Sequence, residues 1–397
     1  MRQINASRIS FARTRRRMTK AQLAKTLGLT SRSIQNYESG DTTPDGPTLT
    51  RLATVLAFPE SFFLVDEDMP ETPVAAASFR AQSRMTDATR RCALNAAAIA
   101  FSISDWMEER FTLPAARLPD LSDLPPEEAA ISLRFMWGLG NAPVPNMIHL
   151  LESKGVRVFS LTGETRYLDA FCTWHKDHVP VVFLNTVTSA ERSRFDAAHE
   201  LGHLVRDVCS MAHGENAGGN ADRHNDIEAR ANEFAAAFLM PRESVIAKRP
   251  PVFTIEHLLR LKHHWKVSLI AVARRYKALG LITEWRYRNL CIEIARRGFR
   301  TSEPQPVEKE NSLVLEKVLA HLKTRGMSRV DIARQLHISV DEVNALTFGL
   351  TPLSVVPGTG ATNEKVAHAP QLSLVRPTAT ARAKTPPRRP RLTSVAR

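Results

Sequence analysis

What this 397-residue sequence lacks argues against membrane, secreted and disulfide-stabilised proteins. No apolar run approaches the eighteen or so residues that a membrane-spanning helix needs, and the first residues have no apolar segment typical of a secretion signal. There are only four cysteines, far apart and without a CxxC pair, which disfavours a disulfide framework or a thiolate metal site. We therefore expect a cytoplasmic protein with no membrane partner. Its cysteines are expected to be core residues: Cys92, Cys172, Cys209 and Cys291.

Acidic residues are also in short supply, with 41 against 54 lysines and arginines, which gives a formal net charge of +13. The excess lies at the two ends. Residues 1–40 contain nine basic residues and one acid, and residues 355–397 contain eight and one. A polyanion such as DNA would therefore meet the ends of the chain. The composition of residues 355–397 predicts disorder, and for this tail an effect on solubility alone is an equal alternative.

Residues 19–40 predict two short helices joined by a tight turn. Thr19 followed by Gln22 predicts a capping box at the start of the first helix. Gly28 suits a left-handed turn between the helices, and Thr30 suits the N-cap of the second. The pattern is therefore that of a helix-turn-helix.

Short polar, amide and guanidinium side chains remain on the outer face of this helix pair, and such groups hydrogen-bond to base edges in a major groove. The predicted DNA-binding residues are Lys20, Gln22, Ser31, Arg32, Ser33, Gln35 and Asn36. The arginines of 13–17 are expected to neutralise phosphates. Residues 8–65 resemble the Xre-type (Cro/repressor-like) helix-turn-helix, so residues 1–65 are expected to bind a double-stranded DNA operator. The alternative is a helical adapter that contacts only protein.

A linker and a larger mixed domain follow. Residues 66–78 contain acids and prolines and are predicted to be the linker. Residues 79–300 predict a long helix over 79–111, then short strands and further helices, including one over 189–206. The predicted fold class is α+β and mainly helical, with an all-α N-terminal domain and a small sheet in the central domain.

A separate C-terminal unit is predicted after a polar break at 301–310. Residues 311–350 predict a helical hairpin, and both Ser328 and Ser339 begin a capping-box pattern. This hairpin is either a second helix-turn-helix or a hairpin packed on the central domain.

His199, Glu200 and His203 form an HExxH motif in the helix predicted over 189–206. Residues i and i+4 share one face of a helix, so both imidazoles can reach one zinc ion. Glu200 lies beside them, where it can take a proton from an attacking water and return it to the leaving amine. The alternative is an amphipathic helix that contains two histidines by chance. The strand before this helix and the carboxylate-bearing helix after it favour a metal site.

A catalytic zinc needs a third protein ligand. Glu228 is the best donor, because it shares a helix face with small residues that permit close packing, and an inward-facing carboxylate needs a partner. Asn232 is expected to brace the site by hydrogen bonding. Glu233 is the alternative carboxylate, and His213 and His224 are alternative ligands or oxyanion stabilisers.

Several motifs, in order, resemble the ImmA/IrrE family of metallo-endopeptidases over roughly residues 79–300. They are DAFCTW at 169–174, PVVFLN at 180–185, FDAAHELGHL at 195–204, and the ExxANxFA and FLMP stretches between 228 and 241. The resemblance implies a zinc-peptidase fold in which His199, His203 and Glu228 bind the metal and Glu200 is the catalytic acid and base. It also implies that the substrate is a repressor or antitoxin, and that fusion to a helix-turn-helix is common.

The combined prediction is a DNA-binding transcriptional regulator with zinc-dependent endopeptidase activity on a protein partner. Residues 179–184 are expected to form an exposed sheet edge that accepts an extended substrate strand. One alternative is a regulator whose peptidase-like domain is a non-catalytic sensor or docking module. Another is a purely structural zinc, and a homodimer is left open.

Overall fold

The computed structural model of the chain covers residues 3–70, 78–81, 86–161, 168–207, 221–351 and 373–374. Within these ranges only the backbone is considered for residues 78–81, 221–224 and 373–374. Several predictions lie outside the described residues: the linker over 71–77, His213, the side chain of His224, and nearly all of the basic tail.

The N-terminal helices follow the predicted capping pattern. They are α1 (Ala6–Arg15), α2 (Lys20–Leu27), α3 (Ser31–Ser39), α4 (Gly46–Leu56) and a 3-10 turn (Glu60–Leu64). Thr19 and Gln22 form the capping box, Gly28 has a φ of 67°, and the Thr30 hydroxyl accepts a hydrogen bond from the Ser33 N–H. The predicted helix-turn-helix is therefore confirmed as a structure.

The central part of the chain is mainly helical with a small sheet, as predicted. Its elements are β1 (Ser78–Ala81), α5 (Asp87–Glu108), β2 (Phe111–Thr112), α6 (Pro126–Met136), α7 (Met147–Ser153), β3 (Arg157–Ser160), β4 (Leu168–His175), β5 (Val179–Leu184), α8 (Ala190–Arg206), α9 (Ala221–Leu239), α10 (Arg242–Ala247), α11 (Ile255–Trp265), α12 (Leu269–Ala278) and α13 (Glu284–Arg296). The helix predicted over 79–111 is shorter than expected. It begins at Asp87, which Thr86 caps, and residues 78–81 form a strand instead.

The main sheet has the strand order β1–β4–β5–β3. β5 pairs antiparallel with β4 and parallel with β3, so hydrogen bonds occupy both of its edges. The prediction that residues 179–184 form an exposed edge is therefore wrong. All six residues of β5 are buried. Their continuous apolar run is typical of an interior strand that is covered on both faces.

The C-terminal unit lies against both other parts of the chain. It consists of α14 (Leu313–Thr324), α15 (Arg329–Gln335) and α16 (Val340–Thr347), and a short strand β6 (Ser373–Leu374) pairs with β2. The capping box at Ser328 forms, but the Ser339 side chain makes no cap hydrogen bond. The Glu342 carboxylate, which a capping box would turn back to Ser339, instead accepts hydrogen bonds from Arg15 and Arg16 at the end of α1, each at 2.8 Å.

Further contacts join the helix-turn-helix to the central domain. α1 packs against α5, and the Asn95 amide donates hydrogen bonds to the Phe11 carbonyl and to the Thr14 hydroxyl at 3.0 and 2.7 Å. α16 packs against β3 and α5. The second predicted helix of the C-terminal hairpin thus lies on the central domain, and DNA binding by this hairpin stays a prediction.

The predicted polar break is part of an anchored segment, residues 301–312, which we call the strap. Glu303 accepts a hydrogen bond from the Leu269 N–H at 3.1 Å, at the start of α12, and pairs with the buried Lys262 at 3.2 Å. Lys262 also pairs with Glu191 of α8, which accepts a hydrogen bond from the Val307 N–H at 3.0 Å. The strap is therefore attached to the helix that contains the HExxH motif.

Two carboxylates join the strap to α7, one from the strap and one from α7 itself. Glu310 accepts hydrogen bonds from the Met147 and Ile148 N–H groups at 2.8 and 3.2 Å, at the start of α7. Glu152, near the end of α7, accepts hydrogen bonds from the Ser312 hydroxyl and from the first N–H groups of α14. Burial raises the pKa of Glu152 to about 7, against the opposing effect of these hydrogen bonds.

No helix within the described ranges is long and apolar enough to cross a membrane. Cys92 and Cys172 are buried free thiols, as predicted for core residues, and Cys291 is partly exposed. Cys209 lies outside the described residues. The Cys172 thiol lies in β4, on the face that α8 covers.

Candidate metal centre

Helix α8 packs against two strands and two helices, and this packing fixes the direction of its side chains. It begins at Ser189, whose hydroxyl accepts a hydrogen bond from the Arg192 N–H, and it packs against β4, β5, α7 and α9. Gly202 permits the approach of α9. A Cβ at this position would lie only 3.0 Å from the Phe234 ring. The glycine inside HExxH therefore lets the two helices come close enough to share a site.

The three predicted metal ligands converge between α8 and α9. His199 Nε2 lies 3.0 Å from His203 Nε2, and the two nitrogens lie 3.3 and 3.4 Å from the Glu228 carboxylate oxygens. Ligands about 2.1 Å from a tetrahedral zinc are separated by about 3.4 Å. Among the described residues these are the only three histidine, cysteine or acidic side chains grouped closely enough to hold one metal ion. Their spacing therefore fits zinc.

The Glu200 carboxyl group lies in the interior without a hydrogen bond from the described residues. Its side chain is fully buried, and neither carboxylate oxygen has a hydrogen-bond partner among the described residues. Burial raises the pKa of Glu200 to about 8, although the neighbouring His203 acts in the opposite direction. Buried polar atoms are nearly always hydrogen-bonded, so an orphaned carboxyl group here indicates a partner outside the chain, such as a metal ion with its water.

The pKa shifts of the ligand side chains favour an ion pair between His203 and Glu228. Burial opposes charge at both positions, but hydrogen bonds to Asp207 and Glu228 raise the pKa of His203 to about 10. The histidines in turn lower the pKa of Glu228 far below its usual value, despite its burial. A cation between these groups would replace the proton, since zinc binds the deprotonated forms of both side chains.

Asp207 is a site residue that the sequence analysis missed. Its carboxylate lies 2.7 Å from His203 Nδ1, which leaves the Nε2 atom directed at His199 and Glu228. A carboxylate on the far nitrogen of a metal-binding histidine fixes the tautomer and the orientation of the ring. Asp207 follows His203 by four residues, so the helical spacing that identified the HExxH pair could also have identified this partner.

The Cys172 thiol borders the centre without being a candidate thiolate ligand. It lies 3.6 Å from the backbone carbonyl oxygen of Glu200. Burial, together with the negative charges of Glu200, Asp207 and Glu228, raises the pKa of Cys172 well above its usual value. The thiol is therefore kept protonated, which agrees with its predicted role as a core residue.

The remaining predicted residues of this region lie outside the ligand cluster. The Asn232 amide donates to the backbone carbonyl of Glu228 at 2.7 Å, one turn back along α9, and its bracing of the site stays a prediction. The alternative ligand Glu233 is exposed and is not in the cluster. Neither His213 nor the His224 side chain is within the described residues.

The predicted DNA-reading face is displayed at the surface of α3. Ser31, Arg32 and Gln35 are exposed, and Ser33 and Asn36 are partly exposed. Two predicted contacts in α2 have partners within the chain. Gln22 accepts the Thr19 N–H in the capping box, and the Lys20 ammonium hydrogen-bonds to Gln35 and lies 3.6 Å from Glu38. All of these DNA contacts stay predictions.

Three of the arginines that were predicted to neutralise phosphates have carboxylate partners within the chain, and their role at phosphates stays a prediction. Arg13 is paired with Glu38 at 2.5 Å, and Arg15 and Arg16 are paired with Glu342. These guanidinium groups hold helices together, because carboxylates lie within reach on α3 and α16. Net charge along the sequence could not show this, since Glu342 is more than 300 positions away.

Two family models match the chain. Residues 151–277 match the peptidase family described as the IrrE N-terminal-like domain, and residues 9–63 match a helix-turn-helix family. No curated protein matches the chain. The predicted combination of an Xre-like helix-turn-helix with an ImmA/IrrE-like peptidase domain is thereby confirmed, and the first of these ranges includes His199, Glu200, His203 and Glu228.

Proposed function

We propose that this chain, in which a helix-turn-helix is joined to an IrrE-like metallopeptidase domain, is a DNA-binding regulator that cleaves a protein partner with zinc. The observation that supports this best is the convergence of His199, His203 and Glu228 within 3.0 to 3.4 Å of one another, with the buried Glu200 beside them. Two imidazoles and one carboxylate are a donor set of catalytic zinc sites, in which the fourth position belongs to water or substrate.

The donor set fits zinc, and each nearby residue has a distinct role. A zinc ion held here would polarise the scissile carbonyl and make water acidic enough to attack at neutral pH. Glu200 would take the proton from the attacking water and deliver it to the leaving amine. A raised pKa suits this role, since an acid–base group works best near the operating pH. Asp207 holds the ring of His203 in its binding orientation.

The presence of a helix-turn-helix supports the proposal that the substrate is itself bound to DNA. Arg32 and Gln35 at the start of α3 are exposed and of the types that read base edges. Binding of an operator would bring the peptidase domain to the regulator that occupies the same or a neighbouring site. The substrate class we propose is therefore a repressor or antitoxin, cleaved in the cytoplasm where operator DNA is found.

The test is cleavage of purified regulators that are encoded beside this chain, with zinc-loaded protein and mass spectrometry of the fragments. We expect Glu200→Gln to retain zinc and to lower the cleavage rate by about 100- to 10,000-fold, since it removes the acid–base group. Glu233→Gln is the matched control, because this exposed residue of α9 is outside the cluster. Chelation should abolish cleavage while operator binding continues.

Two outcomes would contradict the proposal. Equal cleavage by wild-type protein and Glu200→Gln would show that another protein or another site is responsible. Regulation in cells that is unchanged by Glu200→Gln would favour the sensor or docking alternative over catalysis.

A further inference from the structure

The middle of strand β4 lies next to the metal centre. β4 packs against α8, and Cys172 of β4 contacts the backbone carbonyl of Glu200. The negative charges of Glu200, Asp207 and Glu228 all act on this thiol, so the middle of β4 borders the whole centre. β5 occupies one edge of β4. The other edge is therefore the one at which an extended peptide could lie alongside the site.

That other edge is occupied by the chain itself. β1 pairs antiparallel with β4, with Ser78 opposite Cys172, Phe79 opposite Phe171 and Ala81 opposite Leu168. Within the described residues β1 is the only strand on this side of β4. The backbone groups that a second strand would need are thus already used, since each edge of a strand can accept one partner.

The position of β1 in the chain makes it a connection between two fixed units. Before it, the Asn5 amide donates hydrogen bonds to the Val65 and Asp66 carbonyl oxygens and to the Asp68 carboxylate, which ties residues 65–68 to the helix-turn-helix. After it, α5 begins at Asp87 and packs in the core. β1 therefore lies within the interdomain connection and contacts the sheet.

We infer that the outer edge of β4 is the docking edge for an extended substrate peptide, and that β1 occupies this edge as an internal competitor. This inference rests on the proposed function, because it names where that function's substrate lies. Extended peptides bind sheet edges through main-chain hydrogen bonds. A substrate must displace β1, so β1 itself closes the peptidase site.

The pairing between β1 and β4 is short and irregular, so a substrate strand can displace β1. β1 has four residues, and its register shifts between Phe79 and Ala81, so the hydrogen-bond ladder is short and interrupted. The covalent connection nevertheless gives β1 a high effective concentration at the edge. Both facts predict a closed resting state that opens when a well-matched strand competes.

A pair of double variants tests the inference on zinc-loaded full-length protein. Phe79→Pro with Arg80→Pro removes two backbone N–H groups of β1, one on each side of the strand. Phe79→Ala with Arg80→Ala changes the same side chains and retains the backbone donors. The probe is a fluorescent alanine hexapeptide hydroxamate, followed by fluorescence anisotropy, and amide exchange of residues 168–175 is followed by mass spectrometry.

We expect the proline variant to exchange faster over residues 168–175 and to bind the probe roughly tenfold more tightly, because the competing state is depopulated. The alanine variant should resemble the wild type. A converse variant is Ser78→Cys, which places a thiol opposite Cys172. Its oxidised form should lose probe binding at least roughly tenfold and regain it on reduction, because a disulfide would hold β1 on the edge.

The outcomes separate this inference from the proposed function. Equal exchange or equal probe binding in the proline variant and the wild type would overturn the inference, as would failure of the probe to bind either protein. Tighter probe binding by the proline variant, without cleavage of any regulator, would support the docking edge and count against catalysis. Correct folding is checked by operator binding, which does not involve β1.

Discussion

Two groups of buried carboxyl groups in this protein differ in their hydrogen-bond partners: those at the strap and those at the metal centre. At the strap, Glu310 caps the start of α7 and pairs with Arg194, and Glu152 caps the start of α14. Between α8 and α9, both carboxylate oxygens of Glu200 lack hydrogen bonds among the described residues, although this side chain is fully buried.

The difference separates structure from function. The chain supplies N–H groups or cations wherever buried carboxylates only hold elements together. Among the described residues it supplies neither to the Glu200 carboxyl group, next to which histidines and a second carboxylate converge. A buried polar group without a hydrogen-bond partner is costly and persists where a ligand or a reaction needs it. Substitutions at the strap should therefore lower stability, and substitutions at the metal centre should mainly lower zinc affinity or turnover.

The largest expected loss of stability is at Glu310. Glu310→Ala removes the partner of Arg194, whose side chain is 1% exposed, and should cost about 3–5 kcal/mol in the free energy of unfolding. Denaturant unfolding measures this. Adding Arg194→Met should recover part of the loss, because it removes the unpaired charge. A loss under about 1 kcal/mol, as for a surface ion pair, would contradict our distinction between the two groups.

Glu152 should make stability depend on pH in a defined direction. The pKa of Glu152 is raised from 4.5 to about 7, so the folded protein holds this proton more tightly than the unfolded chain. Its contribution is therefore fully present below about pH 4.5 and is lost as the pH rises through about 7. Relative to Glu152→Gln, the wild type should lose about 3 kcal/mol between those limits. A difference that is constant with pH would contradict this.

Asp207 should affect zinc affinity more than stability. Asp207→Asn weakens the hydrogen bond that orients His203, and we expect a 10- to 100-fold rise in the zinc dissociation constant, measured by competition with a chelating dye. Asp226→Asn is the matched control, since Asp226 forms an exposed ion pair with Arg230 on α9. Equal zinc affinity in the two variants would remove Asp207 from the site.

The smallest expected effect is at Glu200 in the metal-free protein. Glu200→Gln should change the free energy of unfolding by no more than about 1 kcal/mol near pH 7, because a carboxyl group with a pKa of about 8 is mostly neutral there. Thermal unfolding after chelation measures this change. A large destabilisation would place Glu200 with the structural carboxylates of the strap.

Local patterns predicted the parts of the fold whose partners lie within a few residues. The Thr19–Gln22 box, the left-handed Gly28 and the HExxH pair all depend on spacings of three to nine positions, and all appear where the sequence placed them. Glu228 could also be identified, because helical periodicity placed it on an inward face where a charge needs a partner.

Features that depend on distant partners could not be read from the sequence. Local charge predicts phosphate contacts for Arg15 and Arg16, but both pair with the distant Glu342. The apolar run 179–184 predicts a strand, and its interior position depends on two other strands. Residues 79–81 were predicted to begin a helix, yet they pair with β4, more than 80 residues further along the chain.

Zinc stoichiometry is the most direct test of the metal centre. We predict one zinc per chain by elemental analysis of the purified wild-type protein, and less than about a tenth of that in Glu228→Ala after dialysis, since a third ligand is lost. Circular dichroism should show the same helical content in both proteins. A wild-type protein without zinc, or a variant that keeps its full complement, would contradict the convergence of His199, His203 and Glu228 on one metal ion.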